Sequence, residues 1–376
     1  MTAERAGEGF AFAVCQVGAE AALKAEVAAA RRGWKAAFQR PGLVTFKVDE
    51  RVDGDTRVPA VLARHSGAGL GPAADARGVV ERAASLPTGG EWVLHVFARD
   101  RYRPGEEPDG YDHRAAAAEV ERAVRAAWPA TGPAALAPTT EPALGQRVLD
   151  VVVAPGEPHF VGFHVHALDR PRWPGGRVPV DVPPEAPSRA YGKLEEGMGW
   201  SGAPVRAGDV AVELGSAPGG ATYALLRRGV HVHGVDPGEM SPVVTGYVGP
   251  GGARLVHHRV RMGDLQRTAL PEVLHWVVLD VNAAPQVALT SVARFCAAPR
   301  GALLGVLLTL KLDDWKAVRH LPRLADRIRK LGMEHVAVTQ LAGNRTEVFA
   351  YGLTAAGLAR KRGFPSTGGR ATGFRR

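Results

Sequence analysis

Within the eleven residues Val210-Ala211-Val212-Glu213-Leu214-Gly215-Ser216-Ala217-Pro218-Gly219-Gly220 the chain changes character twice. An apolar run with β-branched residues suits a buried parallel strand. Gly215, Gly219 and Gly220 then open a loop whose backbone can approach a ligand closely, and residues 222–228 continue as a helix-compatible segment. A strand, a glycine-rich turn and a helix N-terminus in that order build a ligand pocket at the carboxyl edge of a sheet. Such a unit needs neighbours of the same kind, and the chain supplies them. Strands are expected at 230–235, near 254–257, at 276–279 and at 303–310, with a helix at 285–298 and a long one capped by Asp313 and Asp314 and reaching Lys330. Alternating β and α elements mean a mainly parallel sheet covered on both faces. Strands at 334–339 and 347–351 have only a short connection, so they are antiparallel and form an edge hairpin.

The pocket's ligand is the first chemical question. The order is Gly-x-x-x-Gly-Gly, and Ala217 stands where a dinucleotide fingerprint has the glycine that admits a pyrophosphate. Strand 230–235 ends in Asp236, about twenty residues on, where such folds place a carboxylate for ribose hydroxyls. NAD and S-adenosylmethionine both carry that ribose, and the missing glycine leans against NAD. A glycine-rich turn that binds nothing is the ordinary alternative.

At 376 residues the length favours two or three domains, each with its own core. The two cysteines, Cys15 and Cys296, stand far apart in apolar settings, which excludes a disulfide framework and a cysteine-based zinc site and fits a reducing compartment. No run of eighteen apolar residues occurs and the first nine residues lack an apolar signal core, so a soluble, cytoplasmic protein is expected. Residues 1–187 hold 22 Lys and Arg against 24 Asp and Glu, a net of −2, whereas residues 188–376 hold 25 against 14, a net of +11. All the excess positive charge thus travels with the glycine-rich loop, as suits a polyanionic partner such as RNA.

The first half reads as smaller α+β units. Strands are expected at 10–17, 43–48, 92–98, 147–153 and 159–167, and helices at 20–31 and 114–128. Residues 51–90 have weak periodicity, and 129–143 reads as a loop. The polar loop 99–103 offers three arginines and Tyr102 to phosphate and base, or to solvent alone. Nothing in 1–187 has the residue types of a catalytic centre. A linker with six prolines spans 171–187, and the tail from Arg360 is expected to be a disordered basic segment.

In the second half, polar residues that end apolar strands carry the information, because the ligand crevice lies outside the carboxyl ends of a parallel sheet. Asp280 ends one strand and Lys311 the next, so both face the loop at Gly215. A lysine that follows Leu307-Leu308-Thr309-Leu310 is costly as an ammonium unless it is paired. An ordinary Asp280–Lys311 salt bridge would satisfy it. Glu347 begins the hairpin strand, and Lys193 lies in Ser188-Arg189-Ala190-Tyr191-Gly192-Lys193-Leu194-Glu195-Glu196.

Lys193, Asp280, Lys311 and Glu347, in that order around a Gly-x-x-Pro-Gly-Gly loop, resemble the Lys-Asp-Lys-Glu tetrad of the heat-shock methyltransferase FtsJ-like RNA ribose 2′-O-methyltransferases. Ser-Arg-x-x-x-Lys-Leu-Glu-Glu at 188–196, Leu-Lys-Leu at 310–312 and Cys-Gln-x-Gly-Ala-Glu at 15–20 are more narrowly similar to the RlmM-type bacterial 23S rRNA cytidine 2′-O-methyltransferases. The chain departs from that pattern at Ala221, where the family usually has a tryptophan, and at Asp313-Asp314, where proline or an apolar residue is common.

The resemblance implies a Rossmann-like class I methyltransferase domain at 188–355, with a mainly parallel seven-stranded sheet and an antiparallel edge hairpin. It implies a ferredoxin-like domain at 1–55 and a THUMP-like RNA-binding domain at 56–170 before the linker 171–187, and a basic tail at 356–376. S-adenosylmethionine would lie along Gly215, Ala217, Pro218, Gly219 and Gly220, with Asp236 on its ribose, Asp264 near its adenine, and Ser188 and Asp280 as further contacts. Lys311 is the expected base toward a ribose 2′-hydroxyl of 23S rRNA, Lys193 and Glu347 orient it, and no metal is required. A noncatalytic RNA-binding or ribosome assembly factor, a 2′-O-methyltransferase of another RNA, and an NAD-dependent enzyme are the rival readings.

Overall fold

The computed structural model describes residues 9–86, 88–108, 112–130, 134–297 and 302–363. The chain divides into two compact units, Met1–Arg177 and Val178–Arg376.

The first unit is built on one eight-stranded sheet. In chain order it contains β1 (Gly9–Val14), α1 (Glu20–Ala30), β2 (Lys35–Arg40), β3 (Leu43–Val48), β4 (His65–Ala73), α2 (Ala76–Ala83), β5 (Glu91–Ala98), α3 (His113–Ala127), β6 (Ala135–Leu136), β7 (Arg147–Val153) and β8 (His159–Val165). The sheet order is β2-β3-β1-β4-β8-β7-β5-β6, antiparallel except for the β5–β7 and β5–β6 pairs. Strands before and after residue 55 therefore share a sheet. Asp75 and Asp112 cap α2 and α3 by accepting hydrogen bonds from first-turn amides. Trp92, Leu94, Leu149 and Val151 form the core beneath these helices. The loop at 99–103 is half structural: Arg99 and Asp100 are buried, Arg99 bonding the Pro41 carbonyl and Glu157, and Asp100 pairing with Arg64 and Arg177. Only its outer residues, such as Arg101 and Arg103, stand in solvent.

The second unit runs α4 (Ala190–Ser201), β9 (Val210–Leu214), α5 (Gly220–Arg227), β10 (His231–Val235), α6 (Pro242–Thr245), β11 (Leu255–His258), β12 (Trp276–Asp280), α7 (Pro285–Cys296), β13 (Gly305–Lys311), α8 (Leu321–Arg329), β14 (His335–Thr339), β15 (Glu347–Leu353) and α9 (Ala355–Arg362). Its seven strands are ordered β11-β10-β9-β12-β13-β15-β14. The first five run parallel, and β15 slots antiparallel between β13 and β14. This is the mainly parallel seven-stranded, Rossmann-like sheet expected above, with the antiparallel hairpin at one edge. The strand order reverses on either side of β9, so the carboxyl ends of β9 and β12 border the switch point where such sheets take ligands.

Two expectations are corrected in this unit. The long helix from Asp313 to Lys330 is broken: Asp314 caps a 3₁₀ run over Trp315–His320, and α8 begins at Leu321. Pro322 has no amide hydrogen to continue the earlier turn's ladder. The basic tail also begins later than Arg360, because α9 packs on the unit, with Arg360 paired to buried Asp209 at 2.7 Å and the Lys361 ammonium donating to the Ser201 carbonyl at 2.6 Å. Residues 364–376 of that tail lie outside the described residues. Among the described residues no helix is long and apolar enough to cross a membrane, and Cys15 and Cys296 are free thiols.

Candidate active site

Three glycines let the loop after β9 lie flat against its neighbours. Gly215 has φ +83°, and a Cβ there would stand 2.4 Å from the carbonyl oxygen of Asp280 at the end of β12. Gly219 has φ +112°, with Val244 Cγ2 2.7 Å from the position of a Cβ. A Cβ on Gly220 would fall 2.2 Å from Ser188 Oγ and 2.9 Å from the Tyr191 amide nitrogen, so this residue admits the start of α4. The Ala217–Pro218 peptide is cis. Ala221, where a tryptophan was expected, is buried in the core behind the loop. The loop thus draws together the ends of β9 and β12 and the first turn of α4, each of which carries a residue of the site.

Lys193 on α4, Asp280 at the end of β12, Lys311 at the end of β13 and Glu347 at the start of β15 meet in one cluster. Lys193 Nζ is 2.7 Å from Asp280 Oδ2 and 3.1 Å from Glu347 Oε1. The Lys311 ammonium pairs with Glu347 Oε2 and lies 3.8 Å from Asp280 Oδ1. Register explains half of this, since Lys311 and Glu347 are directly paired residues of the antiparallel β13–β15 ladder. Both lysines share both carboxylates, so the simple Asp280–Lys311 salt bridge is replaced by a four-membered network of zero net charge.

The members are not equivalent. Lys193 is 12% exposed and Glu347 3%, whereas Lys311 is 31% exposed, more open than its apolar strand suggested. Burial opposes the charge on Lys193, but the carboxylates of Asp280 and Glu347 outweigh it and hold the ammonium above the usual lysine range. Burial likewise opposes the charge on Glu347, and Lys193 and Lys311 together keep its carboxyl below the usual range. Lys193 is therefore the fixed cation inside the cluster, and Lys311 is the lysine at its mouth.

Asp236 follows β10 half-buried, its Oδ1 accepting from the Gly238 amide at 2.7 Å. That bond fixes the carboxylate beside the glycine loop, because a Cβ on Gly238 would stand 3.1 Å from Ala217 Cβ. Ser188 Oγ accepts from the Ala190 amide at 3.3 Å, a helix-entry role, while packing on Gly220. Asp264 stands exposed in the turn after β11, in a segment that Arg294 of α7 holds through the carbonyls of Gly263 and Leu265. Among the described residues it makes none of the tetrad's contacts.

Two further residues belong to the site and were missed. Glu213 lies in β9, fully buried, and accepts a 2.5 Å bond from the Thr222 hydroxyl. Burial pushes its carboxyl up to about 8, and the charges of Asp280 and Asp236 add to the rise. Its signal was present in sequence, a lone acid in an apolar strand like the lone lysine of β13. Glu196, one turn after Lys193, accepts from the Ala342 and Gly343 amides at 2.8 Å each. It shapes the turn from which the Arg345 amide donates to Glu347 Oε1 at 3.4 Å.

No family model matches the chain. It is 33% identical over 199 residues to the ribosomal RNA large subunit methyltransferase M of Laribacter hongkongensis, an alignment covering 50% of this chain and 54% of that protein. The protein of the same name from Thauera aminoaromatica is 30% identical over 189 residues, covering 48% and 49%. The chain thus spans about half the length of the curated relatives it matches. Among solved structures, TrmN from Thermus thermophilus aligns with 92% of this chain and 99% of its own at 19% identity and a TM-score of 0.32.

Proposed function

We propose that the chain is an S-adenosylmethionine-dependent ribose 2′-O-methyltransferase acting on a cytidine of 23S rRNA, with Lys311 as its general base. The observation that carries the reading is the closed Lys193–Asp280–Lys311–Glu347 network beside a glycine-rich loop at the sheet's switch point. The similarity to relatives named ribosomal RNA large subunit methyltransferase M supports the same substrate class.

The residues present fit the methyl donor. The loop Gly215–Gly220 offers backbone rather than side chains to a ligand, and Asp236 Oδ2 remains to accept from a ribose diol while Oδ1 is held by Gly238. Asp264 and Ser188 are the outer contacts of this reading. When bound, S-adenosylmethionine supplies an electrophilic methyl group on a sulfonium sulfur. Lys311 would take the proton of the ribose 2′-hydroxyl and so prepare that oxygen to receive the methyl group. Lys193, held between Asp280 and Glu347, fixes both carboxylates in place and leaves Lys311 as the member of the network most open to a substrate. Glu347 aims Lys311 through their paired register. No step calls for a metal. On this reading residues 1–55 and 56–170 are the ferredoxin-like and THUMP-like regions that present cytoplasmic rRNA to residues 188–355.

Incubation with tritium-labelled S-adenosylmethionine and deproteinised rRNA tests the assignment. Wild-type protein transfers label to a ribose 2′-oxygen, and Lys311→Ala lowers the rate by at least about 100-fold. No transfer by the wild type would leave an RNA-binding factor. Full transfer by Lys311→Ala would remove the base.

A further inference from the structure

The first unit holds a polar cluster of its own, and the reading of it does not depend on the proposed function. Four neighbouring strands in the order β4-β8-β7-β5 each turn one titratable residue to a common interior: His65, His164, Asp150 and His95. His95 and Asp150 are paired residues of the β5–β7 ladder, and His164 is paired with Val148, two residues before Asp150 and on its face. All four side chains are buried, His65 at 2% exposure and the others at 0%. A sheet interior of this kind is ordinarily filled by valine and isoleucine, and a carboxylate there is costly without compensation.

Asp150 is engaged on both oxygens. His65 Nε2 lies 2.9 Å from Oδ1 and His164 Nδ1 lies 2.7 Å from Oδ2. His95 is the informative member. Its Nε2 is 2.8 Å from the Thr140 carbonyl, which can only accept, so the ring hydrogen of a neutral His95 sits on Nε2. Its Nδ1 then presents a lone pair to the interior, 3.8 Å from Asp150 Oδ1, with no hydrogen-bond partner in the protein. His164 Nε2 is likewise buried without a protein partner. A buried lone pair facing a carboxylate oxygen is repulsive unless something positive lies between them.

We propose that His65, His95, Asp150 and His164 bind one first-row divalent cation, zinc by preference, as a structural site that ties four strands of the first unit together. Three imidazoles and a carboxylate make a four-ligand set of the hardness zinc accepts. Ligand bonds of about 2.1 Å in a tetrahedron place donor atoms about 3.4 Å apart, and the separations of 2.9 and 3.8 Å around Oδ1 bracket that spacing. Donor atoms of His65, Asp150 and His164 all lie within 4.8 Å of one another; His95 is not in that set and joins it through Asp150, its Nδ1 3.8 Å from Oδ1. The Thr140 carbonyl is the outer partner that sets the tautomer and aim of a ligating His95.

The experiment uses the full chain without a histidine tag. Elemental analysis of the purified protein is expected to find about one equivalent of zinc per chain. After removal with dipicolinate, zinc chloride alone is titrated back and the melting temperature followed. Reloading raises the Tm, and cobalt in place of zinc gives the visible absorption of a four-coordinate nitrogen–oxygen site. His95→Gln, which retains an amide to donate to Thr140, loses at least about tenfold in zinc affinity, and Asp150→Asn loses more. Should either variant fail to fold, stripping and reloading the wild type decides the matter. A stripped wild type whose Tm does not respond to zinc overturns the site and leaves a proton-only network. Equal zinc binding by wild type and His95→Gln overturns it as well, by moving the metal elsewhere.

Discussion

Glu213 makes the pH dependence of this protein's stability a test of the site. In the folded chain its carboxyl is carried from the ordinary 4.5 to about 8, chiefly by complete burial in β9. The unfolded chain gives up that proton near 4.5, and the folded chain holds it to about 8. A raised acid of this kind contributes its stability below 4.5 and loses it as pH climbs from there to about 8. The slope approaches about 1.4 kcal/mol per pH unit in that window, so about 3 kcal/mol is lost between about pH 5 and about pH 8. Glu213→Gln removes the titration and leaves an oxygen to accept from the Thr222 hydroxyl. Urea unfolding of wild type and variant at both ends of the window is the assay. The variant's stability relative to wild type is expected to rise by about 3 kcal/mol from the acidic to the basic end. Any fixed cost of burying an amide shifts both points equally and does not touch the difference. Parallel stabilities across the window would refute the claim that β9 carries a protonated acid behind the glycine loop.

Three other outcomes follow from contacts already described. Asp236→Ala should weaken binding of S-adenosylhomocysteine by about tenfold, the worth of one charge-assisted hydrogen bond, as measured by calorimetry, with the fold unchanged by circular dichroism. Glu196→Gln should lower kcat about tenfold while leaving donor affinity unaltered, because it loosens the Ala342–Gly343 turn that steadies Glu347 and does not touch the glycine loop. Equal losses in kcat and donor affinity would deny it that positioning role. Affinity for rRNA should fall at least about tenfold between about 50 and about 200 mM salt, given the net +11 of residues 188–376. A flat response in filter binding would remove the electrostatic argument.

The fold of the second unit could be read from the chain because its signals are local. Apolar runs of β-branched residues alternate with helix-compatible segments, and each ends in a residue whose charge is expensive unless it is used. Asp280 and Lys311 obey that rule, Lys193 and Glu347 are legible only through the resemblance to the Lys-Asp-Lys-Glu tetrad, and the structure brings the four together. Glu213 obeyed the same rule but was passed over, because one acid among Val210, Ala211, Val212 and Leu214 was averaged into the apolar run. The first unit was less legible. All residues of β2 are exposed, so Lys35–Arg40 shows no alternation, and β4 is a glycine- and alanine-rich segment that becomes a strand through its partners β1 and β8. The histidine cluster left no local trace at all. Each strand contributes one polar residue, and only the order β4-β8-β7-β5 makes them neighbours.

The pairing of Lys311 with Glu347 carries one more consequence, for inheritance rather than for chemistry. Successive strand residues point to opposite faces, so the proposed base and its carboxylate are encoded by parity as well as by identity. A single-codon deletion inside β15 would keep every residue type of the tetrad and yet turn Glu347 from Lys311. A two-codon deletion would restore the face and shift only the neighbour. Length changes in this gene should therefore survive in the turn at residues 340–346 or between elements, and be purged in odd steps within the two strands that hold the pair.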